Sequence, residues 1–394
     1  MAPPVQPVLP RLEATVAPPT RQPPPLADEI LEEIFLRIAS PADLARASAA
    51  CVSFRRLIAD PSFLRRYRSI HRPLLLGILC DGFQPAEAPH PNAPAARALA
   101  CADGFIFDYL PGRWQHCDVC DGRVLLQCIP DDEKDGVYFP DLAVCDPLSR
   151  RYLLLPPIPD DLVASAQVQE HKIRFFDAFL VPSGHEEEAS FKVIGRTHCT
   201  EKLVVFIFSS GSSRWSVGTS TSWVDLSLNT PPGIILGWPH YEYGCFYWKV
   251  NWRNRLLKLD INRMEFSTVD LPPDHDERDV VIVEAGEGRL AMLSLIRNGT
   301  AVDYYTIMQN EGERVNEWLV ENVIPLPCRC NFVGASEGYI FLLGVQKTQD
   351  TVDAVCFSLE IKTLKIERLS SIKYLYVHVH SYFGFPPFMS PRRI

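Results

Sequence analysis

The sequence has no run of apolar residues long enough to cross a bilayer. Its longest, such as Leu74-Leu75-Leu76-Gly77-Ile78-Leu79-Cys80, fall far short of the ~20 residues a spanning helix requires. A basic amino-terminal segment leading into an apolar core is missing too, so no signal peptide is expected. Positive charge is in deficit: 39 Lys and Arg stand against 48 Asp and Glu, for a net charge of −9. That balance argues against a general binder of nucleic acid or anionic membrane, both of which need basic patches. No phosphate-binding loop, nucleophile elbow or Gly-x-Gly-x-x-Gly fingerprint is found. Neither catalytic residues nor a cofactor are therefore expected. At 47% hydrophobic and 22% charged residues, the composition is that of a globular protein.

Metal ligands are scarce in the patterns that would make them useful. Cys117 and Cys120 have ligand spacing, with His116 and Cys128 nearby, but a structural zinc site wants a second pair. Cys328 and Cys330 are one residue too close to supply it. Asp131, Asp132, Glu133 and Asp135 imitate the start of a calcium loop, yet its twelfth position is Leu142 where a bidentate Glu is needed. This segment reads as a solvated acidic hairpin. His378 and His380 share one strand face without an acid cluster to complete a set, and read as surface histidines. No metal site is expected. The twelve cysteines, several inside apolar runs (Cys128, Cys145, Cys245, Cys356), read as free thiols of the cytoplasm or nucleus. Asn298-Gly299 reads as a hairpin turn rather than a glycosylation acceptor.

What is present divides into three parts. Residues 1–24 are proline-rich and poor in bulky apolar side chains, which predicts a flexible arm with polyproline-II character. Residues 25–70 hold three or four short helices. Ile30, Leu31, Ile34, Phe35 and Ile38 lie on one helix face, with Asp28 as its expected N-cap. Ser40-Pro41-Ala42-Asp43 is a helix start with cap, first-turn proline and box acid, and Asp60-Pro61-Ser62-Phe63 repeats the signal. A unit of this size buries its apolar surface poorly without a partner.

The order of these residues resembles the F-box, the module that docks the Skp-family adaptor of cullin-based ubiquitin ligases. Leu26, Asp28, Glu29, Ile30, Leu31, Ile34 and Ile38 match its opening. Pro41, Asp43 and Leu44 continue it, then Cys51, Phe54 and Arg55, then Leu57-Ile58 and the Asp60–Phe63 tail. Ala27, Phe54 and Ala50 depart from the usual Pro, Trp and Val. The resemblance implies adaptor contacts at Leu26, Asp28, Ile30, Leu31, Ile34, Ile38, Pro41, Leu44, Phe54 and Leu57.

From residue 71 onward short apolar runs alternate with turn residues, which predicts an all-β region. Ala86–Ala98 reads as a surface loop, and the one helical stretch lies near Leu162–Lys172. A degenerate repeat is visible. A Gly opens an apolar strand, and a second strand ends in an acid, a turn and an apolar return. Gly122 leads to Asp146, Gly244 to Asp260, and Gly338 to Glu360. Gly288 opens another copy, and Leu203–Phe208 with Trp215 is a copy without its Gly. Intervals of 44 residues (Gly244 to Gly288) and 50 (Gly288 to Gly338) are those of propeller blades. Residues 71–394 would hold six or seven; a pair of β-sandwiches is the alternative. The region resembles the F-box-associated, kelch-like propellers of plant F-box proteins, chiefly in Cys145-Asp146-Pro147-Leu148-Ser149-Arg150 before Leu155-Pro156-Pro157. Strands from the two ends of the region, Pro73–Cys80 with Val377 and Val379, are expected to close the ring.

Pro159–Lys172, Pro182–Ser190 and Gly237–Tyr243 read as long rim connections. The third carries Trp238, His240 and Tyr241, the candidates for target binding, while Phe246 and Trp248 read as core. The whole describes a substrate receptor joining an adaptor, and through it a cullin, to a protein target. A propeller enzyme with a helical cap, or an F-box scaffold outside a ligase, are the other readings.

Overall fold

The computed structural model describes residues 27–80, 82–100, 105–129, 139–169, 172–182, 190–228, 236–286, 288–308, 317–347, 352–372 and 379–385. The chain divides into two compact units between Ile70 and His71.

The first unit is four short helices: α1 (Asp28–Leu36), α2 (Pro41–Ala50), α3 (Val52–Ile58) and α4 (Pro61–Ile70). Each start has a chemical cause. Ser40 Oγ accepts the Asp43 amide at 3.3 Å behind Pro41 in the first turn. Asp60 Oδ1 accepts the Ser62 amide at 2.8 Å. The Cys51 thiol accepts from the Phe54 amide at 3.5 Å and so caps α3. Asp28 is not the cap expected of it. Ala27 holds that position without a side-chain bond, and Asp28 is the first helical residue, paired with Arg56 at 3.1 Å. Leu36, Leu44, Ile58, Phe63 and Tyr67 are buried. Phe35 meets Phe54 edge-to-face at 5.0 Å, and the Tyr67 hydroxyl donates to the Ile38 carbonyl at 2.8 Å.

The second unit is a six-bladed β-propeller. It opens with β1 (Leu74–Cys80), β2 (Gly82–Pro85) and a helix, α5 (Ala93–Ala100). That helix corrects the expected surface loop, because the Ala-rich run has high helix propensity and buries Ala96 and Leu99. One antiparallel blade contains β3 (Trp114–Cys120), β4 (Arg123–Cys128), β5 (Leu142–Asp146) and β6 (Arg151–Leu154). The next begins after α6 (Asp160–Ser165) and contains β7 (Ile173–Val181), β8 (Lys192–Cys199), β9 (Lys202–Ser209) and β10 (Arg214–Ser222). Then come β11 (His240–Glu242), β12 (Cys245–Val250), β13 (Arg255–Asp260) and β14 (Glu265–Asp270). A further blade is β15 (Val280–Glu284), β16 (Leu290–Leu295), β17 (Ala301–Met308) and β18 (Glu317–Pro325). The last consecutive one is β19 (Cys330–Ser336), β20 (Tyr339–Lys347), β21 (Val352–Glu360) and β22 (Lys365–Ile372). The sixth blade is composite: β23 (His380–Gly384) pairs with β1, and β1 with β2. Strands from both ends of the region thus share one sheet. Val379, buried, immediately precedes β23; Val377 lies outside the described residues.

Strand composition explains the stacking. Successive side chains of a strand point to opposite faces, and inner strands here are apolar on both. Phe246 and Trp248 of β12 pack toward the β7–β10 blade, while Cys245 and Tyr247 pack toward the β15–β18 blade. Each junction between neighbouring blades has its own apolar cluster. The hairpins explain the repeat. Asp121-Gly122, Tyr243-Gly244 and Glu337-Gly338 all have positive φ at both residues, the requirement of a type I′ turn. The run Leu203–Phe208 is β9, third in its blade. Its blade lacks the Gly because β7 and β8 are joined by the longer segment 182–191.

Candidate functional site

In the helical unit the side chains implicated in docking sort by burial. Pro41, Leu44 and Leu57 are buried, with Leu44 at 0% exposure, so they form the core of the unit and not its surface. Leu31, Ile38 and Phe54 are half-buried. Ile30 and Ile34, one turn apart on α1, are 50% and 46% exposed, and Val52 at the start of α3 is 80% exposed. Asp28 is exposed, and Leu26 lies outside the described residues. The unit therefore fills a small core and still presents aliphatic side chains to solvent, Ile30 and Ile34 on adjacent turns of α1.

In the propeller, β3, β7, β11, β15, β19 and β23 are the innermost strands, and they surround a central channel. Part of it is an opening of about 750 Å³, open solvent included, lined among others by Asp118, Cys120, Trp238, Tyr241, Ser336 and His380. Trp238 is 47% exposed. Tyr241 is half-buried and packs edge-to-face on Phe246 at 4.9 Å, so its ring also belongs to the blade core. His240 is placed otherwise than expected. Residues 240–242 form the short inner strand β11, and the His240 ring, 5% exposed, is held neutral by burial, its pKa pulled down to about 4. Pro159–Lys172 is likewise not a free rim loop, since α6 places Leu162 and Val163 against the adjacent core. Residues 183–189 of the second connection lie outside the described residues.

Sequence reasoning missed the channel's carboxylates. Asp118 accepts the Leu180 amide at 2.7 Å and so ties β3 to β7. Its Oδ1 lies 4.0 Å from Nδ1 of His380. Burial pushes the pKa of this carboxyl up to about 6, with 23% of the side chain still exposed. Asp121, Glu242 and Glu337 each follow directly on a lining residue, and Glu284 ends β15. Burial, with the Glu284 charge second, raises the Glu242 pKa to about 8; Glu337 adds to this and Arg72 opposes it. The signal lay in the repeat: aligning the opening glycines puts Asp121, Tyr243 and Glu337 in one register position. His380 is also corrected, from the surface to the channel wall, where its ring meets His116 edge-to-face at 5.2 Å. His378 and the acidic segment 131–135 lie outside the described residues.

Cys117 and Cys120 belong to the packing between blades, and burial raises both thiols well above the ordinary range. Among the described residues no three His, Cys, Asp or Glu side chains converge closely enough to hold one metal ion, and no helix is long and apolar enough to cross a membrane.

Residues 28–70 match the F-box-like family model. That span is the four-helix unit with Ile30, Ile34 and Val52 on its surface. No curated protein matches the chain. Among solved structures, apo AztD from Citrobacter koseri is 13% identical with a TM-score of 0.32, covering 70% of this chain and 64% of that one. The exo-beta-1,3-galactanase 1,3Gal43A from Clostridium thermocellum is 10% identical with a TM-score of 0.35, covering 63% and 59%. The WD40 domain of SCAP from fission yeast is 10% identical with a TM-score of 0.32, covering 68% and 83%. The chain thus spans less than two thirds of the length of the first two.

Proposed function

We propose that the chain is the substrate-receptor subunit of a Skp–cullin–F-box ubiquitin ligase. The F-box-like unit, residues 25–70, docks the Skp-family adaptor and through it a cullin. The propeller, residues 71–394, captures a protein target; the arm expected at residues 1–24 lies outside the described residues. The chain presents its target and performs no covalent chemistry itself, in the cytoplasm or nucleus. We place the propeller with the kelch-like, F-box-associated type of plant proteins. The observation that carries this reading is the F-box-like match over a unit whose α1 leaves Ile30 and Ile34 exposed beside a filled core. An apolar face kept in water is stabilised by a partner that covers it.

Co-expression of the full chain with a Skp-family adaptor tests the reading. Interface anchors typically lose more than ~1 kcal/mol each on truncation, so Ile30→Ala with Ile34→Ala is expected to lower adaptor co-purification about tenfold or more. Unchanged capture would sink the reading. Cullin in the same eluate supports assembly into a ligase; adaptor without cullin favours a scaffold.

A further inference from the structure

Two thiols meet on the connection that leads into the last consecutive blade. Cys328 and Cys330 stand on either side of Arg329, past the end of β18 and at the start of β19. Their sulfurs lie 3.6 Å apart, and the Cys330 thiol donates to the Cys328 carbonyl at 3.4 Å. Backbone bonds hold the connection at both ends. The Leu326 amide donates to the Thr300 carbonyl at 2.9 Å, and the Cys330 amide to the Gly299 carbonyl at 2.8 Å. Gly344, opposite Cys330 on β20, leaves the sulfurs their room. A Cβ there would collide with Cys328 Sγ and come within 2.9 Å of Cys330 Sγ. The two thiols differ in access. Cys328 is half-buried, whereas Cys330 is 1% exposed and burial raises its thiol above the ordinary range. An accessible thiol poised beside a second that can resolve it is what reversible oxidation requires.

We propose that Cys328 and Cys330 form a modification site, a dithiol that glutathione disulfide converts to an intrachain disulfide. The proposal goes beyond the receptor reading and does not depend on it. Cys328 gives up its proton and attacks one sulfur of glutathione disulfide. A Cys328–glutathione bond forms, the glutathione S–S bond breaks, and the departing thiolate takes that proton. Cys330 then gives up its own proton and attacks Cys328 Sγ. The protein S–S bond forms, the mixed bond breaks, and the second glutathione thiolate takes the Cys330 proton. Two protein thiols are thereby oxidised, and one glutathione disulfide is reduced to two thiols. The sulfurs have only to close from 3.6 Å to the ~2.05 Å of a disulfide. Cys117 and Cys120 make the comparison. The Cys117 thiol donates to the Leu125 carbonyl at 3.5 Å, and both side chains are engaged in packing between blades.

The test equilibrates the folded full chain with a tenfold excess of oxidised over reduced glutathione. Acid quenching, alkylation of free thiols and peptide mapping by mass spectrometry without reduction then locate each sulfur. More than half of the chains are expected to carry the Cys328–Cys330 disulfide, at least tenfold more than carry a Cys117–Cys120 one. Dithiothreitol is expected to restore both thiols. Cys330→Ser is expected to stop at a glutathione adduct on Cys328. Cys328→Ser is expected to lower glutathione uptake at Cys330 at least tenfold. Circular dichroism before quenching confirms that the folded chain reacted. Both thiols left free in the parent, an adduct on Cys328 that never closes, or equal oxidation of Cys117 and Cys120 would overturn the proposal. These three outcomes are read from the parent chain, so they decide the matter even where a serine variant fails to fold.

Discussion

Glu242 shows what a single side chain carries in this molecule. It ends the shortest inner strand, and its carboxyl is raised from 4.5 to about 8, first by burial and then by Glu284. An unfolded chain releases that proton near the ordinary value, whereas the folded chain holds it until about pH 8. Between those values the folded state binds more protons, so stability falls as pH rises through the window and levels off above it. Glu242→Gln removes the penalty. The difference in melting temperature, variant minus parent, should be near zero at pH 4.5 and about +2–4 °C at pH 8.5, the shift that ~1 kcal/mol produces in a domain of a few hundred residues. Paired thermal scans at the two pH values check this, and a difference independent of pH would show that Glu242 is solvated. Nothing local in the sequence announces such a residue; its environment is assembled from β15, the turn after β19, and Arg72. The same holds for Arg196. It is 3% exposed, paired with Asp177, and stacked 4.9 Å over the Trp248 ring, an arrangement built across two blades.

At the scale of elements, legibility follows turn chemistry. The helix starts at Ser40-Pro41 and Asp60-Pro61 could be read because capping is local, and Asn298-Gly299 because its turn closes within three residues: Asn298 Oδ1 accepts the Thr300 amide at 3.1 Å. Gly122, Gly244 and Gly338 could be read because a type I′ turn needs φ above zero. The outer hairpins were half legible. Asp146, Asp260 and Glu360 each precede a four-residue loop whose last residue adopts positive φ, but Arg150, Met264 and Leu364 occupy that position, so no glycine marks it. The short strand β11 reads as a loop in the sequence because Pro239 and the Tyr243-Gly244 turn leave it three residues. These turns yield a direct test. Gly244 has φ +73°, and an added Cβ would also come within 3.2 Å of the Asn262 side-chain Nδ2. Gly244→Ala is expected to lower unfolding free energy by about 1–2 kcal/mol, the typical handicap of a left-handed residue with a Cβ. Gly244→Asn, which tolerates that region, should lose less. Gly211→Ala, in an outer turn where the new Cβ would meet only Ser209 Oγ at 3.9 Å, should be neutral. Denaturant midpoints would show the order, and equal loss at both glycines would refute the assignment of the inner turn.

The propeller depends on a junction between its first and last strands, β1 and β23. A sheet with open edges recruits other strands, and a ring avoids this only if its first and last strands meet. Here they do: Leu75 faces Phe383, Gly77 faces Tyr382 and Ile78 faces Ser381 across β1 and β23. This is why the blade number, six or seven from the repeat interval alone, resolves to six. The last blade is drawn from both ends and has no repeat of its own to count. The junction is also well packed. Tyr382, fully buried, meets Phe105 at 4.8 Å and Phe83 at 6.0 Å, and Phe383 packs on Tyr339 at 5.8 Å. Truncating one buried aromatic typically costs about 3–5 kcal/mol, and a domain's entire stability is about 5–15 kcal/mol. Stopping the chain after Ile372 removes Val379, Tyr382, Phe383 and Phe385 together and strips the inner edge of β1. We expect that protein to be aggregated or unfolded in its β region. Stopping after Phe385 keeps every β1–β23 pair and should leave a monomer with unchanged β-sheet circular dichroism. Gel filtration and thermal melts of the two truncations decide it. A soluble, cooperatively melting protein ending at Ile372 would mean that the ring does not need this closure.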